Sequence, residues 1–407
     1  MQTDAKINSF LKLAGEGNKN AILKRKIIRQ YLTGGDCSLT DLSREMGLSV
    51  PTVTKLVGEL IDEGFVHDFG KQSTNGGRRP NLYGLNPDAG YFLGIDVCNR
   101  HLSFGLINFK GRLIKYKKEV PFALANTMES LNELCNVIDA TIGNFGIARK
   151  KILSIGINLS GRVDSASGYS FSYFYTEDKP LTHLLEERLG CNVNIENDSR
   201  AMAYGEYMCG GCNNEKNVIC INVSWGLGIG IILNGQLFYG HSGFSGEFGH
   251  FPFFDNEIIC RCGKRGCLET GASGIAVHRI ICEMLAQGRA SMLSEKYEAT
   301  GDVSLNDILD AVHKEDVLAI EVVEQVAHEL GKAIAGLINI FNPELIIIGG
   351  SLATAGPCLM LAVQSAVYKY SLQLVSKDTT VRLSTLADEA GVLGACMLAR
   401  SKTLCLM

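Results

Sequence analysis

The chain has 407 residues, is 46% apolar and 20% charged, and carries a formal net charge of −4. Those values exclude a disordered, collagen-like or low-complexity protein and leave room for several packed domains. No apolar run is long enough to cross a bilayer, the first residues lack the basic start and apolar core of a signal peptide, and most of the 14 cysteines lie singly in apolar settings such as those of Cys220 and Cys396. That pattern points to a reducing cytoplasm, with no membrane partner. Charge is uneven, with a slightly basic head on an acidic body.

Residues 1–19 read as an N-terminal arm and 20–86 as a DNA-binding head. Asn20 is placed to cap a first helix whose Leu23, Ile27, Ile28 and Tyr31 share one face, and Gly34-Gly35-Asp36 ends it. Ser38 or Thr40 opens a second helix through Met46, and Gly47-Leu48-Ser49 forms a tight turn. Ser49 caps a third helix that tolerates Pro51 in its first turn. There Val53, Leu56, Val57, Leu60 and Ile61 fall on one face, opposite the small polar set Ser49, Thr52, Thr54 and Lys55. This is a helix-turn-helix pattern with Thr52–Leu60 as the recognition helix. Strands from Gly64 and over Asn81–Leu85, joined by a polar turn, complete a winged helix. Arg78 and Arg79 on their glycine-rich stem suit a narrow minor groove. The plain alternative is a trihelical module that binds protein.

From Tyr91 the chain alternates strands and helices. Phe92–Val97 is a buried strand followed by a partner strand over 102–107 and a glycine turn, and the phrase returns as Val218–Val223, Ile229–Leu233 and Asn234-Gly235. The repeat predicts an α/β body of two lobes, actin/hexokinase-like (ribonuclease H-like), with a cleft between them. The first lobe is expected over 87–215, completed by a C-terminal helix over 388–407, and the second over 216–387. Long amphipathic helices are expected near 273–288 and 317–340, with Leu345–Gly350 a parallel-type strand running into a glycine turn.

Cys260, Cys262 and Cys267 crowd into eight residues with Gly263 and Gly266 between them, and His250 lies ten residues upstream. One His and three Cys form a closed set for structural Zn2+, with no position left for a hydrolytic water. The loop 250–267 is therefore expected to be a zinc loop. The alternatives are buried thiols, or a disulfide with an odd cysteine.

Gly243–His250, the cysteine cluster and Leu268-Glu269, with Asn342-Pro343-Glu344 before Ile346–Gly350, resemble the signature of the ROK family of bacterial sugar kinases and sugar-responsive transcription regulators. The winged helix resembles the regulator branch. The resemblance implies that Glu196-Asn197-Asp198 matches the motif whose Asp is the kinase general base, making Asp198 a vestigial base. It also implies that Asn197, Asp198, Glu247, His250 and Glu269 contact sugar, with His250 serving metal and sugar together. Where the family's kinases carry glycine- and threonine-bearing phosphate turns, this chain has Asp96-Val97-Cys98-Asn99-Arg100 and Gly226-Leu227-Gly228. Without that cradle phosphoryl transfer loses its positioning, so no enzyme activity is expected. The expected protein is a sugar-responsive DNA-binding repressor of carbohydrate genes, working as a dimer or tetramer on a pseudo-palindromic operator and answering a sugar or sugar phosphate. The alternatives are a bifunctional sugar kinase with a DNA-binding domain, and a regulator controlled by a protein partner. The aromatic run Ser170–Tyr175 is either a sugar-stacking surface or core.

Overall fold

A computed structural model describes residues 18–71 and 80–406. The head opens with α1 (Lys19–Gly34), α2 (Leu39–Met46) and α3 (Val50–Asp62), followed by the antiparallel pair β1 (Val66–Lys71) and β2 (Asn81–Leu85). Asn18, not Asn20, caps α1 by accepting from the Ala21 N–H, so the helix begins earlier than its apolar face suggests. On that face Leu23 is only half-buried and Lys24 takes the inner position. Its ammonium reaches Glu59 Oε2 at 2.8 Å and Glu63 Oε1 at 2.6 Å, and this pairing offsets the cost of burying the charge. Ser38 settles the start of α2, Ser49 caps α3, and Gly47 adopts the left-handed region in the turn between them. The Ser43 hydroxyl locks that turn on Leu48 O at 2.6 Å. Ile27, Leu42, Val53, Leu60 and Phe65 are fully buried beneath, each stabilising by roughly 1.5–3 kcal/mol. Arg78 and Arg79, the arm over 1–17 and most of the wing turn lie outside the described residues.

The body contains two five-stranded sheets. The first is ordered β5-β4-β3-β6-β7, from β3 (Tyr91–Val97), β4 (His101–Asn108), β5 (Leu113–Pro121), β6 (Ile152–Leu159) and β7 (Val193–Asn197). The second is ordered β10-β9-β8-β11-β12, from β8 (Val218–Val223), β9 (Leu227–Leu233), β10 (Gln236–Leu237), β11 (Leu345–Gly349) and β12 (Thr380–Leu383). Each has an antiparallel three-strand meander followed by two strands reached through helices, in the first sheet α4 (Met128–Phe145) and α5 (Leu181–Leu189), so the repeated phrase in the sequence is a repeated topology. In the second sheet β11 pairs in parallel with both β8 and β12, which explains its unbroken apolar run.

Residues fall into two compact units. One holds the described residues up to Ile157, with Gly168–Ile195 and the chain from Ala395; the other holds Asn158–Ser167 and Glu196–Gly394. In the first unit the head abuts the β4–β5 turn, where Phe65 lies 5.5 Å from Phe109 between ring centres and Asp36 pairs with Lys110 at 3.0 Å. Also there, Phe171 and Tyr175 stack at 5.3 Å and are half-exposed, so that pair of the aromatic run is surface rather than core.

In the second unit, α6 (Asp198–Cys209) lies on β8 and β9. Gly228 and Gly230 permit this approach, since a Cβ on either would collide with Ser199 or Ala203. The core is completed by α7 (Gly274–Ala286), α8 (Ser294–Thr300), α9 (Leu305–His313), α10 (Val317–Phe341) and α11 (Pro357–Tyr370). Asp316 caps α10, accepting from the Ala319 N–H at 2.9 Å. A last helix, α12 (Glu389–Thr403), ends the fold. Among the described residues no helix is long and apolar enough to cross a membrane, and the 14 cysteines are free thiols.

Candidate functional site

Asn197 and Asp198 sit where β7 gives way to α6. The helix cap is Asn197, whose Oδ1 accepts from the Ser199 and Arg200 N–H groups while its Nδ2 donates to Gly161 O and Asp198 Oδ1. Its amide is therefore already engaged on both ends. Asp198 Oδ1 takes the Ser199 N–H at 2.7 Å. Burial lifts the Asp198 carboxyl above its ordinary range, against the pull of Ser199, Arg261 and Arg200.

Beneath this corner lies a buried network that the sequence reading missed. Arg200 donates from Nε to Glu196 Oε1 at 2.7 Å, from Nη1 to Gly243 O and from Nη2 to Val163 O. Tyr239 donates to Glu196 Oε2 at 3.0 Å, and burial with that carboxylate beside it pushes the phenol's pKa up. The signal was present: Glu196 and Arg200 are spaced i, i+4, although the strand-to-helix break between them disguises it. This network pins the start of the Gly243–His250 loop.

At the end of that loop His250 faces two ways. Nδ1 lies 3.6 Å from Cys260 Sγ, and Nε2 lies 3.8 Å from Glu247 Oε2. Cys262 and Cys267 Sγ atoms are 3.6 Å apart, and the four donors of His250, Cys260, Cys262 and Cys267 all lie within 4.8 Å of one another. Tetrahedral Zn–S and Zn–N bonds of about 2.3 and 2.0 Å put neighbouring donors about 3.6 Å apart, so this set fits the ion. Burial pushes the Cys260 thiol up to about 12 and also raises Cys267. Cys262, where burial opposes the shift, is drawn below the usual thiol range by the Lys264 backbone N–H and neighbouring thiols. The cluster could hold a metal.

Glu269 is buried, 3% exposed. Its Oε2 accepts from the Leu227 N–H at 3.0 Å, and Arg261 lies against it with Nε 3.2 Å from Oε1. Gly226 leaves room here, because a Cβ would stand 2.7 Å from Glu269 Oε2 and 2.9 Å from Arg261 Nη2 and make both side-chain ends shift. The Leu227 N–H of the second phosphate-type turn is thus already occupied by a carboxylate. In the first such turn the Cys98 N–H donates to His101 O at 3.0 Å, closing the hairpin, while Asn99 and Arg100 are exposed. Glu247 stands half-exposed at the mouth of its loop.

In the head, Ser49, Thr52, Thr54 and Lys55 all lie on the exposed face of α3. Thr54 Oγ1 bonds back to Val50 O at 2.8 Å, and Ser49 and Thr52 share a hydroxyl contact at 2.7 Å. Lys55 extends from the same face.

Comparison with known proteins agrees with both regions. The profile described as the ROK family matches residues 92–402, and one described as winged helix-turn-helix DNA-binding matches 21–67. A xylose repressor of Caldicellulosiruptor bescii is 30% identical, with 92% of this chain and 94% of the relative covered. A glucokinase of Halalkalibacterium halodurans is also 30% identical, over 75% of this chain and 93% of its own. The crystal structure of a ROK family transcriptional regulator, described as a homolog of the E. coli MLC protein, superposes with a TM-score of 0.79 at 28% identity, covering 95% of this chain and 98% of that one.

Proposed function

The chain belongs to the ROK family, and from that premise we propose that it is a sugar-responsive DNA-binding repressor. The observation that carries this reading is the winged helix joined to a ROK body in one chain, an arrangement similar over nearly its whole length to a xylose repressor. Two heads in a homodimer engage a pseudo-palindromic operator, with Ser49, Thr52, Thr54 and Lys55 against the major groove and Arg78 and Arg79 in the minor groove. A sugar or sugar phosphate is bound through Asp198, Glu247 and His250, groups that can accept and donate hydrogen bonds to vicinal hydroxyls. Asn197 and Glu269 complete the sugar-binding set, and each also has a structural partner. Asn197 holds the start of α6, and Glu269 ties Arg261 to the Leu227 turn. Repression is relieved because the effector binds the DNA-free state more tightly than the DNA-bound one; without that difference it could shift nothing.

His250, Cys260, Cys262 and Cys267 hold Zn2+, which supplies a structural cross-link and fixes Glu247 beside His250. No catalysis is assigned to it. The chain does not work as a kinase. With the Leu227 N–H already accepted by Glu269 and the Cys98 N–H by His101 O, neither turn has that amide left for phosphate oxygens. The rival reading, a bifunctional kinase, draws on Asp198 as a retained base and on the glucokinase relative. The test is operator binding to the gene's own upstream DNA, titrated with free and phosphorylated sugars. Release by one sugar, abolished in Asp198→Ala or Glu247→Ala and absent without DNA binding in Lys55→Glu, is the expected result. Tight binding that no sugar alters rejects sugar sensing in favour of a protein partner. ATP-dependent phosphorylation of a hexose establishes the kinase.

A further inference from the structure

A second set of metal-type donors lies away from the cysteine cluster. His278 and Cys282 stand one turn apart on the same face of α7, and Asp302 comes from the turn that follows α8. Their donor atoms converge. Cys282 Sγ is 3.7 Å from His278 Nε2 and 3.9 Å from Asp302 Oδ1, and His278 Nε2 is 2.7 Å from Asp302 Oδ1. The two sulfur distances lie within a few tenths of an ångström of the edges of a tetrahedral site, where bonds of about 2.0 and 2.3 Å separate a nitrogen or oxygen donor from a sulfur by about 3.5 Å. The nitrogen–oxygen distance is that of a hydrogen bond and opens to an edge with a small rotation of the Asp302 side chain, which is 70% exposed. The donors are one imidazole, one thiol and one carboxylate, a mixture that suits Zn2+ or Co2+ and not Mg2+ or Ca2+.

The surroundings are built for it. Thr300 Oγ1 donates to Asp302 O at 2.7 Å and holds the turn that presents the carboxylate. Trp225, the only tryptophan of the chain, lies with its ring centre 5.2 Å from that of His278. The first residues of α7 also grip the turn that carries Trp225, with the Gly274 N–H on Ser224 O at 2.8 Å and the Ile275 N–H on Trp225 O at 2.9 Å.

We propose that His278, Cys282 and Asp302 form a second transition-metal site, with three protein ligands and a fourth position for water. It is distinct from the His250–Cys267 cluster. Occupancy ties α7 to the Asp302 turn, and through α7 stiffens the Ser224–Leu227 turn that Glu269 engages.

The test uses the full chain, first loaded with Zn2+ and dialysed, then titrated with Co2+ while Trp225 emission and bound metal are followed. The wild type is expected to bind one metal equivalent more than His278→Ala or Cys282→Ser. Co2+ is expected to quench Trp225 with an affinity at least about tenfold higher than in Asp302→Asn, an exposed change that leaves the fold intact. Cys262→Ser, which removes a ligand of the other cluster, is expected to retain the quenching. Equal metal content and equal quenching in wild type and all three site variants overturn the proposal. So does quenching that survives His278→Ala and disappears in Cys262→Ser, since the ion then sits in the cysteine cluster.

Discussion

In the first sheet the turn from β3 to β4 closes on its own hairpin, Cys98 N–H to His101 O, and leaves Asn99 and Arg100 in solvent. The corresponding turn of the second sheet, from β8 to β9, is sealed from within. Glu269 accepts the Leu227 N–H, and Ser224 Oγ donates to Asn222 Oδ1 at 2.9 Å and accepts the Ser351 N–H. Strand order is identical in the two sheets because ladder pairing and apolar burial dictate it. The turns carry no such constraint and have diverged. The glycines at 226 and 228 are accounted for by packing against Glu269 and Ser199.

The largest expected effect lies under the sealed turn's side of the molecule. Arg200→Met leaves Glu196, 2% exposed, with its charge uncompensated by the guanidinium, and breaks the bonds to Val163 O and Gly243 O. A loss of about 3–5 kcal/mol in denaturant-measured stability is expected. A loss under about 1 kcal/mol would show that the network does not organise this region. Next comes Gly226→Ala, where the new methyl meets Glu269 and Arg261. It should cost about 1–3 kcal/mol and weaken the effector response, whereas Asn99→Ala in the exposed turn should stay within about 0.5 kcal/mol. Equal costs would erase the contrast between the turns.

Much of this was legible in the sequence. The Ser38 and Ser49 caps, the face of α3, the buried run of β11 and the convergence of His250 with three cysteines each follow from local spacing. What escaped depends on distant partners. Lys24 is buried because Glu59 and Glu63 lie on another helix, and Glu269 is drawn inward by an amide that no nearby residue announces. The cap falls on Asn18 and not Asn20 because the helix runs one turn beyond its apolar face, which local spacing does not reveal. The cap formed by Asn197 escaped because an Asn at a strand-to-helix junction serves capping and ligand contact with the same amide chemistry, and residue type alone does not announce the first.

A smaller effect sharpens the argument about phosphate. Restoring glycines in the first turn, Cys98→Gly with Asn99→Gly, should cost about 1 kcal/mol through added freedom of the unfolded chain. Calorimetry should detect no gain in ATP binding, because the second turn still presents a carboxylate where phosphate would need a donor. Nucleotide binding in this double variant would mean that the first turn alone had blocked it.

The smallest effect, and the most diagnostic in sign, is at Asp198. Burial raises its carboxyl, so the folded chain holds that proton more tightly than the unfolded chain does. The stability this provides is present below the ordinary carboxyl pKa and is lost as pH rises through the lifted value. Asp198→Asn removes this pH-dependent contribution while keeping an oxygen for the Ser199 N–H. Relative to wild type, its melting temperature should therefore improve as pH climbs from acid to neutral. The same variant should respond less to the effector, because an amide offers a sugar hydroxyl a weaker acceptor than a carboxylate. Asp96→Asn, on the first sheet, should leave the response intact. A variant that instead falls further behind the wild type as pH rises would mean that the protein stabilises the Asp198 charge, and that its carboxylate is a structural ion rather than an acceptor held ready for ligand.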